Sequence, residues 1–284
     1  MRRRNCNLPG LTPASSSPTT DPAALRDAVA AASWYHTIDL PDGTRTPGEY
    51  DLKATLARIP FPADLTGRRC LDVGTRDGFW AFEMERRGAA EVVAIDVGDV
   101  ADLDWPQPPR PLDAETRAEL ERRGRAFDTA RGLLGSGVRR ELLSVYDLSP
   151  TTLGSFDFVF LGTLLLHLRD PVGALTAVAG VTRGHLLLNE PISVSLSALR
   201  RRSPTAALHT GADPFWWLPN TAALRRYLDA AGFAVEAQGR PYLIRNSPHL
   251  DLASARQLRT LVNLRRHLLL RIGAPHAWLV ARPV

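Results

Sequence analysis

Arg69-Cys70-Leu71-Asp72-Val73-Gly74-Thr75-Arg76-Asp77-Gly78-Phe79-Trp80 is answered, eighteen residues after Gly78, by the acid that closes Val92-Val93-Ala94-Ile95-Asp96. Cys70 to Val73 reads as a buried strand, Gly74 and Gly78 bracket a tight turn, and Phe79 to Arg87 has helical spacing with charges on one face. The order is strand, glycine loop, helix. Without a Cβ at Gly74 and Gly78 the backbone can approach a ligand closely, and Asp96, ending a second strand just before Val97, is placed to accept hydrogen bonds from ribose hydroxyls. The unit therefore reads as a cradle for a nucleoside. It lacks the third glycine of dinucleotide sites and the Gly-Lys-Ser/Thr ending of phosphate loops.

Further apolar runs extend this unit into a sheet. Leu142 to Asp147, Phe156 to Leu161 and His185 to Glu190 are separated by helical or loop segments, as a parallel sheet buried on both faces requires. The fold class is α/β, a doubly wound Rossmann-like sheet whose ligand sits outside the carboxyl ends of the strands. Phe233 to Ala237 and Ala277 to Ala281 read as two later strands.

The glycine loop resembles the DxGxGxG pattern of S-adenosylmethionine-dependent methyltransferases, with Arg76 where the middle glycine usually stands. That resemblance implies the seven-stranded class I fold with its last strand antiparallel, and S-adenosyl-L-methionine as cofactor. It implies that Asp72, Gly74, Thr75, Arg76 and Gly78 lie beside the methionine end, and Asp96 with Val97 at the ribose. Tyr146 and Asp147 then fall near the adenine, and Leu161 and Gly162 over the cofactor; for Tyr146 a plain core role is the alternative.

A narrower resemblance rests on Trp34-Tyr35-His36-Thr37-Ile38-Asp39-Leu40-Pro41-Asp42-Gly43-Thr44-Arg45-Thr46-Pro47-Gly48, Leu164-Leu165-Leu166-His167-Leu168-Arg169-Asp170-Pro171 and Trp217-Leu218-Pro219-Asn220. These segments are similar to the tRNA wobble-uridine methyltransferase and carboxymethyltransferase family, and more so to its bacterial small-molecule relatives, over roughly residues 34 to 240. In the carboxymethyl branch a tyrosine before the histidine helps recognise the extra carboxylate of the cofactor. Here Leu166 stands there, and an aliphatic side chain donates no hydrogen bond, so methyl rather than carboxymethyl transfer is expected.

Composition sets outer bounds. With 284 residues and 44% hydrophobic content the chain can bury a substantial core. No run approaches the eighteen apolar residues of a membrane span, and Met1 to Thr20 has no apolar signal core, so a cytoplasmic protein is expected. Cys6 and Cys70 are too few for a disulfide framework, and no metal-ligand spacing is found. The net charge of +5 gathers in the arginines 256, 259, 265, 266, 271 and 282. Leu258, Leu261, Val262, Leu268 and Leu269 give that segment a packed face. A solvated outer face is one reading of the arginines; a polyanion surface and a dimer or lid contact are the others. Aromatic residues to stack bases are not interleaved with them, which weakens a nucleic-acid reading.

Along the chain, residues 1–22 read as a disordered Pro/Ser/Thr tail, 23–60 as an N-terminal helical arm or lid, and 61–284 as the methyltransferase domain. Insertions are expected at about 97–135, 191–216 and 250–272, the second as a substrate cap. Methyl transfer to a small-molecule acceptor, a secondary metabolite methylated at oxygen, nitrogen or carbon, is the leading functional expectation. An RNA-modifying methyltransferase and a cofactor-binding protein with a non-methylating reaction are the alternatives. A histidine suits the base that a phenol, alcohol or amine acceptor needs, which makes His167 and His36 the candidates; their alternatives are a structural role under the Asp170-Pro171 turn and a lid or packing role. Trp34, Tyr35, Glu190, Trp216 and Trp217 are candidate substrate residues. Glu190 can equally anchor the turn after its strand, and the tryptophans can be core. Homodimerisation is left open.

Overall fold

The computed structural model describes residues 22–105, 113–209, 215–247 and 273–284. The tail before residue 22, the arginine segment 250–272, and parts of the other two insertions (106–112 and 210–214) lie outside the described residues.

The strands are β1 (Arg69–Val73), β2 (Glu91–Asp96), β3 (Arg139–Leu142), β4 (Phe156–Gly162), β5 (Thr182–Pro191), β6 (Ala206–Leu208), β7 (Trp217–Pro219), β8 (Phe233–Gln238), β9 (Tyr242–Ile244) and β10 (Ala274–Pro283). The helices are α1 (Pro22–Ala30), α2 (Lys53–Leu56), α3 (Phe79–Arg86), α4 (Ala114–Leu134), α5 (Pro150–Leu153), α6 (Pro171–Val181), α7 (Val194–Leu199) and α8 (Thr221–Ala230). The main sheet has the order β3-β2-β1-β4-β5-β10-β8, and β9 pairs off this path with the start of β10, an eighth strand beyond the expected seven. β1, β2, β3, β4 and β5 run parallel, whereas β10 is antiparallel to both β5 and β8. The order reverses at β1 and β4, so the crevice above their carboxyl ends is the ligand-binding place of such a sheet.

Period-two alternation divides the core. Leu71 and Val73 of β1 join Val93, Ile95, Val159 and Leu161 on one face, under α6 and α8. Cys70 faces the other way with Val92, Phe158 and Phe160, beneath Trp80 and Met84 of α3 and Phe127 of α4. The arm packs on this second face through Trp34, Ile38, Leu52 and Ile59. Trp80 lies 4.1 Å from Phe160 between ring centroids, which ties the first turn of α3 to β4.

The third strand differs from its expectation. Leu142 to Asp147 has the apolar character of a strand, yet β3 is Arg139–Leu142, and Val145 to Asp147 form a 3-10 turn capped by the Ser144 side chain on the Tyr146 amide. β3 is the edge of the sheet, and an edge strand that packs on few neighbours tolerates Arg139, Arg140 and Glu141. Tyr146 and Asp147 therefore sit on a turn beyond the strand. The arm, expected as helical, contains α1 and the short α2 joined by a folded stretch bridged at His36 and Tyr50 and at Asp39 and Arg45. Past β5, α7 and the antiparallel pair β6-β7 occupy the stretch expected as a cap. Asn220, fully buried, accepts from the Thr205 and Ala223 amides and donates to the Arg200 and Ser203 carbonyls, fastening that cap to α8.

Candidate functional site

The loop after β1 is built from left-handed residues. Gly74 (φ 76°) and Gly78 (φ 92°) take that conformation freely; Arg76 (φ 59°) does so against its Cβ and is held by its amide, which donates to Asp96 Oδ2 at 2.9 Å. The other Asp96 oxygen takes the Val97 amide at 2.9 Å, so each oxygen retains a lone pair. Burial raises Asp96 above the usual carboxylate range. Two enclosed atoms, Oδ2 of Asp72 in β1 and Oγ1 of Thr75 in the loop, have no hydrogen-bond partner of good geometry among the described residues, although the Thr75 hydroxyl lies near enough to draw the Asp72 carboxyl down. Asp72 is 1% exposed, and burial pushes its carboxyl up to about 7. Buried polar groups of this kind are completed by a bound ligand or by ordered water.

Asp77, which sequence reasoning did not single out, clamps the arm to the loop. Its Oδ2 accepts the amides of Tyr35 at 2.8 Å and His36 at 2.7 Å, and its Oδ1 meets His36 Nδ1 in a short contact. The Tyr35 ring lies 4.9 Å from that of Tyr50 and under the Arg76 guanidinium, 5.5 Å away. Trp34 is enclosed in the arm's core, with its indole N–H donated to the Val29 carbonyl. The signal available in sequence was Asp77's position inside the glycine loop. Its partner stands 41 residues earlier, and only the fold joins them.

On the β4-β5-β10 side, Glu190 is 1% exposed and its Oε1 accepts the amides of Leu164 at 2.8 Å and Leu165 at 3.2 Å. These bonds brace the turn after β4. Leu161 lies wholly inside the core, while a Cβ on Gly162 would come within 2.7 Å of the Phe160 ring. Thr163 is left-handed at φ 57°, its amide bonded to the Asn189 carbonyl and its hydroxyl 3.3 Å from Nε2 of the buried His276. Burial raises Glu190 from the ordinary 4.5 to about 8, against the pull of its amide donors. The folded protein thus keeps a proton that the unfolded chain has lost. Its contribution to stability is complete below about pH 4.5 and disappears as pH rises to about 8. Urea unfolding across that window should show a shallower decline for Glu190→Gln, which keeps an acceptor for the amides; parallel declines in variant and parent would contradict this.

A strap formed by the segment after β2 is tied to the turns that follow β3 and β4 and to the residue before β7. Asp104 Oδ2 accepts the Tyr146 hydroxyl at 2.7 Å and the Arg169 amide at 2.8 Å, while its carbonyl takes the Trp216 indole N–H at 2.6 Å. Arg169 lies over the Trp216 ring at 5.0 Å and donates to the Trp105 carbonyl; its own carbonyl receives the Trp217 indole N–H. Tyr146 also accepts the Asp170 amide, and burial raises its hydroxyl above the ordinary phenol range. Asp147 is exposed. The His167 ring lies 4.8 Å from Phe215 of the cap. The structure thus brings Asp72, Gly74, Thr75, Arg76, Gly78, Asp96 and Val97 to one loop cluster with Tyr35 and His36 against it, and sets His167, Trp216 and Trp217 around the cap.

A family model described as a methyltransferase domain matches residues 45–238. The chain belongs to that family. The tRNA U34 carboxymethyltransferase of Marinobacter nauticus is 28% identical over 181 residues, 61% of this chain and 46% of that protein. The ubiquinone biosynthesis O-methyltransferase of Neisseria meningitidis serogroup C is 31% identical over 121 residues, 43% of this chain and 42% of that protein. The chain therefore spans about half the length of the curated relatives it matches. Among solved structures, the complex of the Haloferax volcanii Trm112 methyltransferase activator with a methyltransferase is similar at TM-score 0.50 and 15% identity, covering 81% of this chain and 87% of that chain, a likeness of fold.

The cofactor of the family is S-adenosylmethionine, and the residues present fit it. The partnerless Asp72 and Thr75 oxygens suit an amino-acid end, the spare lone pairs of Asp96 suit ribose hydroxyls, and a Cβ on Gly74 would close to 3.2 Å on Leu164. Among the described residues no group of three or more His, Cys, Asp or Glu is placed to hold a metal ion, and no helix is long and apolar enough to cross a membrane.

Proposed function

We propose that this protein transfers the methyl group of S-adenosylmethionine to a small-molecule acceptor. The single observation that carries the reading is the cluster of two orphaned buried oxygens, on Asp72 and Thr75, one loop away from the ribose-facing carboxylate of Asp96. When bound, the sulfonium supplies a methyl group already activated for in-line displacement. The chain's own residues have three tasks: Asp72 and Thr75 hold the amino-acid end, Asp96 holds the ribose, and the arm and the Asp104 strap exclude water. Around the acceptor we place the aromatic surfaces of the cap, with His167 against Phe215 and the indole N–H groups of Trp216 and Trp217 satisfied by backbone carbonyls. Leu166 offers no donor for an extra carboxylate, which favours methyl over carboxymethyl transfer.

A second reading, an RNA acceptor, draws on the tRNA-modifying relatives and on the net charge of +5. One experiment separates the two. Incubation with methyl-labelled S-adenosylmethionine, a small-molecule extract and total tRNA is expected to put label into the small-molecule fraction. Label in tRNA would support the second reading, and label in neither would contradict both.

A further inference from the structure

His36 and Asp77 form an enclosed pair, 6% and 1% exposed, at the junction of arm and cofactor loop. Burial opposes a charge on Asp77, but the His36 charge, the imidazole hydrogen bond and the His36 amide bond outweigh it and hold this carboxyl below its ordinary range. An ionised carboxylate only accepts, so the contact with His36 Nδ1 requires a hydrogen on Nδ1, and a neutral ring then carries its lone pair on Nε2. Among the described residues Nε2 has no hydrogen-bond partner, and it is not among the partnerless atoms sealed from solvent. The imidazole also lies close enough to Asp72 for its charge to act on that carboxylate, one of the loop's two orphans.

The geometry points to His36 Nε2 as the base that takes the proton of the methyl acceptor, with Asp77 as its positioning residue, and hence to an acceptor that is a hydroxyl, a phenol or an amine. This rests on the methyl-transfer reading and adds to it the acceptor's chemical class. In the step, a lone pair on the acceptor's oxygen or nitrogen forms the bond to the methyl carbon as the carbon–sulfur pair returns to sulfur, leaving a neutral thioether. The O–H or N–H electron pair stays with the acceptor and its proton passes to Nε2. The imidazolium then lies against the Asp77 carboxylate until it releases the proton to water. Asp77 and Asp72 of the loop, Tyr35 and Tyr50 of the arm, and Arg76 above Tyr35 are the titratable and charged groups around the ring.

Two variants test the assignment in the full chain. His36→Asn keeps a side-chain N–H for Asp77 and deletes Nε2; Asp77→Asn presents an amide that can donate to Nδ1 and so drive the ring hydrogen to Nε2. In histidine-15N-labelled protein, the resonances lost in His36→Asn identify the ring. They are expected to show hydrogen on Nδ1, to shift at Nε2 when S-adenosylhomocysteine is replaced by S-adenosylmethionine, and to exchange roles in Asp77→Asn. With the acceptor found in the labelling experiment, both variants should lose on the order of 10²–10⁴-fold in turnover while calorimetric affinity for S-adenosylhomocysteine stays within a few-fold. A hydrogen on Nε2 in the parent protein, an Nε2 resonance indifferent to the sulfonium, or undiminished turnover in His36→Asn would overturn the assignment. Failure of the parent protein to bind the cofactor at all would instead overturn the methyl-transfer reading on which it stands.

Discussion

Replacing Asp96 by alanine is expected to weaken S-adenosylhomocysteine binding by about a hundredfold while the fold survives. Asp96 closes β2, and its carboxylate performs two services. It holds the Arg76 amide, which keeps a residue with a Cβ in the left-handed conformation that the loop needs, and it leaves one lone pair on each oxygen for the ribose of the proposed cofactor. A hydrogen bond to a charged group is worth about 1.5–3 kcal/mol, and about 1.4 kcal/mol is tenfold in affinity, so losing the ribose contacts and relaxing the loop together account for two orders of magnitude. Stability should change far less, because the removed carboxylate was itself disfavoured by burial. Calorimetric titration beside a thermal melt reads both quantities. Unaltered affinity would remove Asp96 from the site; a collapsed melt would make its role structural.

Gly48→Ala is expected to unseat the arm. A Cβ there would run into the His36 carbonyl group and the Thr37 amide, which are backbone atoms and cannot rotate away. The strand-like pairing of His36 with Tyr50 must then open, and with it the three contacts to Asp77. A loss of about 3 kcal/mol or more, the upper range for overpacked sites, should accompany a fall in methyl transfer of at least two orders of magnitude. Gly43→Ala is the control. Gly43 is left-handed at φ 83° with open space around it, so it should cost only about 1 kcal/mol of backbone strain and leave activity intact. Limited proteolysis of the arm, compared between the two variants, distinguishes a displaced arm from general destabilisation. Equal protection and equal activity would show that the arm does not close the site.

The parts of the molecule legible in the sequence are those fixed by local pattern. β1, β2 and β4 are buried on both faces, so they read as apolar runs, and the loop between β1 and α3 announces itself through glycines whose left-handed backbone no other residue adopts so readily. The position of β3 escapes the pattern for the same reason. It is an edge strand written in charged residues, and the apolar stretch after it folds as a turn. Side-chain pairings across the sheet left no local trace. Glu190 could be recognised as a strand-end acid, but its amide donors depend on the path of the turn after β4. Asp77 with His36, Thr163 with His276, and Asp104 with Tyr146 each join segments at least 41 residues apart, so the residue types were visible and their partnership was not. Trp34 illustrates the converse. An aromatic beside a functional arm invites a substrate role, whereas its ring is spent in the packing that seats the arm.

The most direct examination of the central claim is a crystal structure of the full chain with S-adenosylhomocysteine. The ribose hydroxyls should lie within hydrogen-bond distance of Asp96, and the amino-acid end should engage Asp72 Oδ2 and Thr75 Oγ1, leaving neither atom without a partner. The ligand bound elsewhere, or bound here with those oxygens still unpaired, would contradict the account.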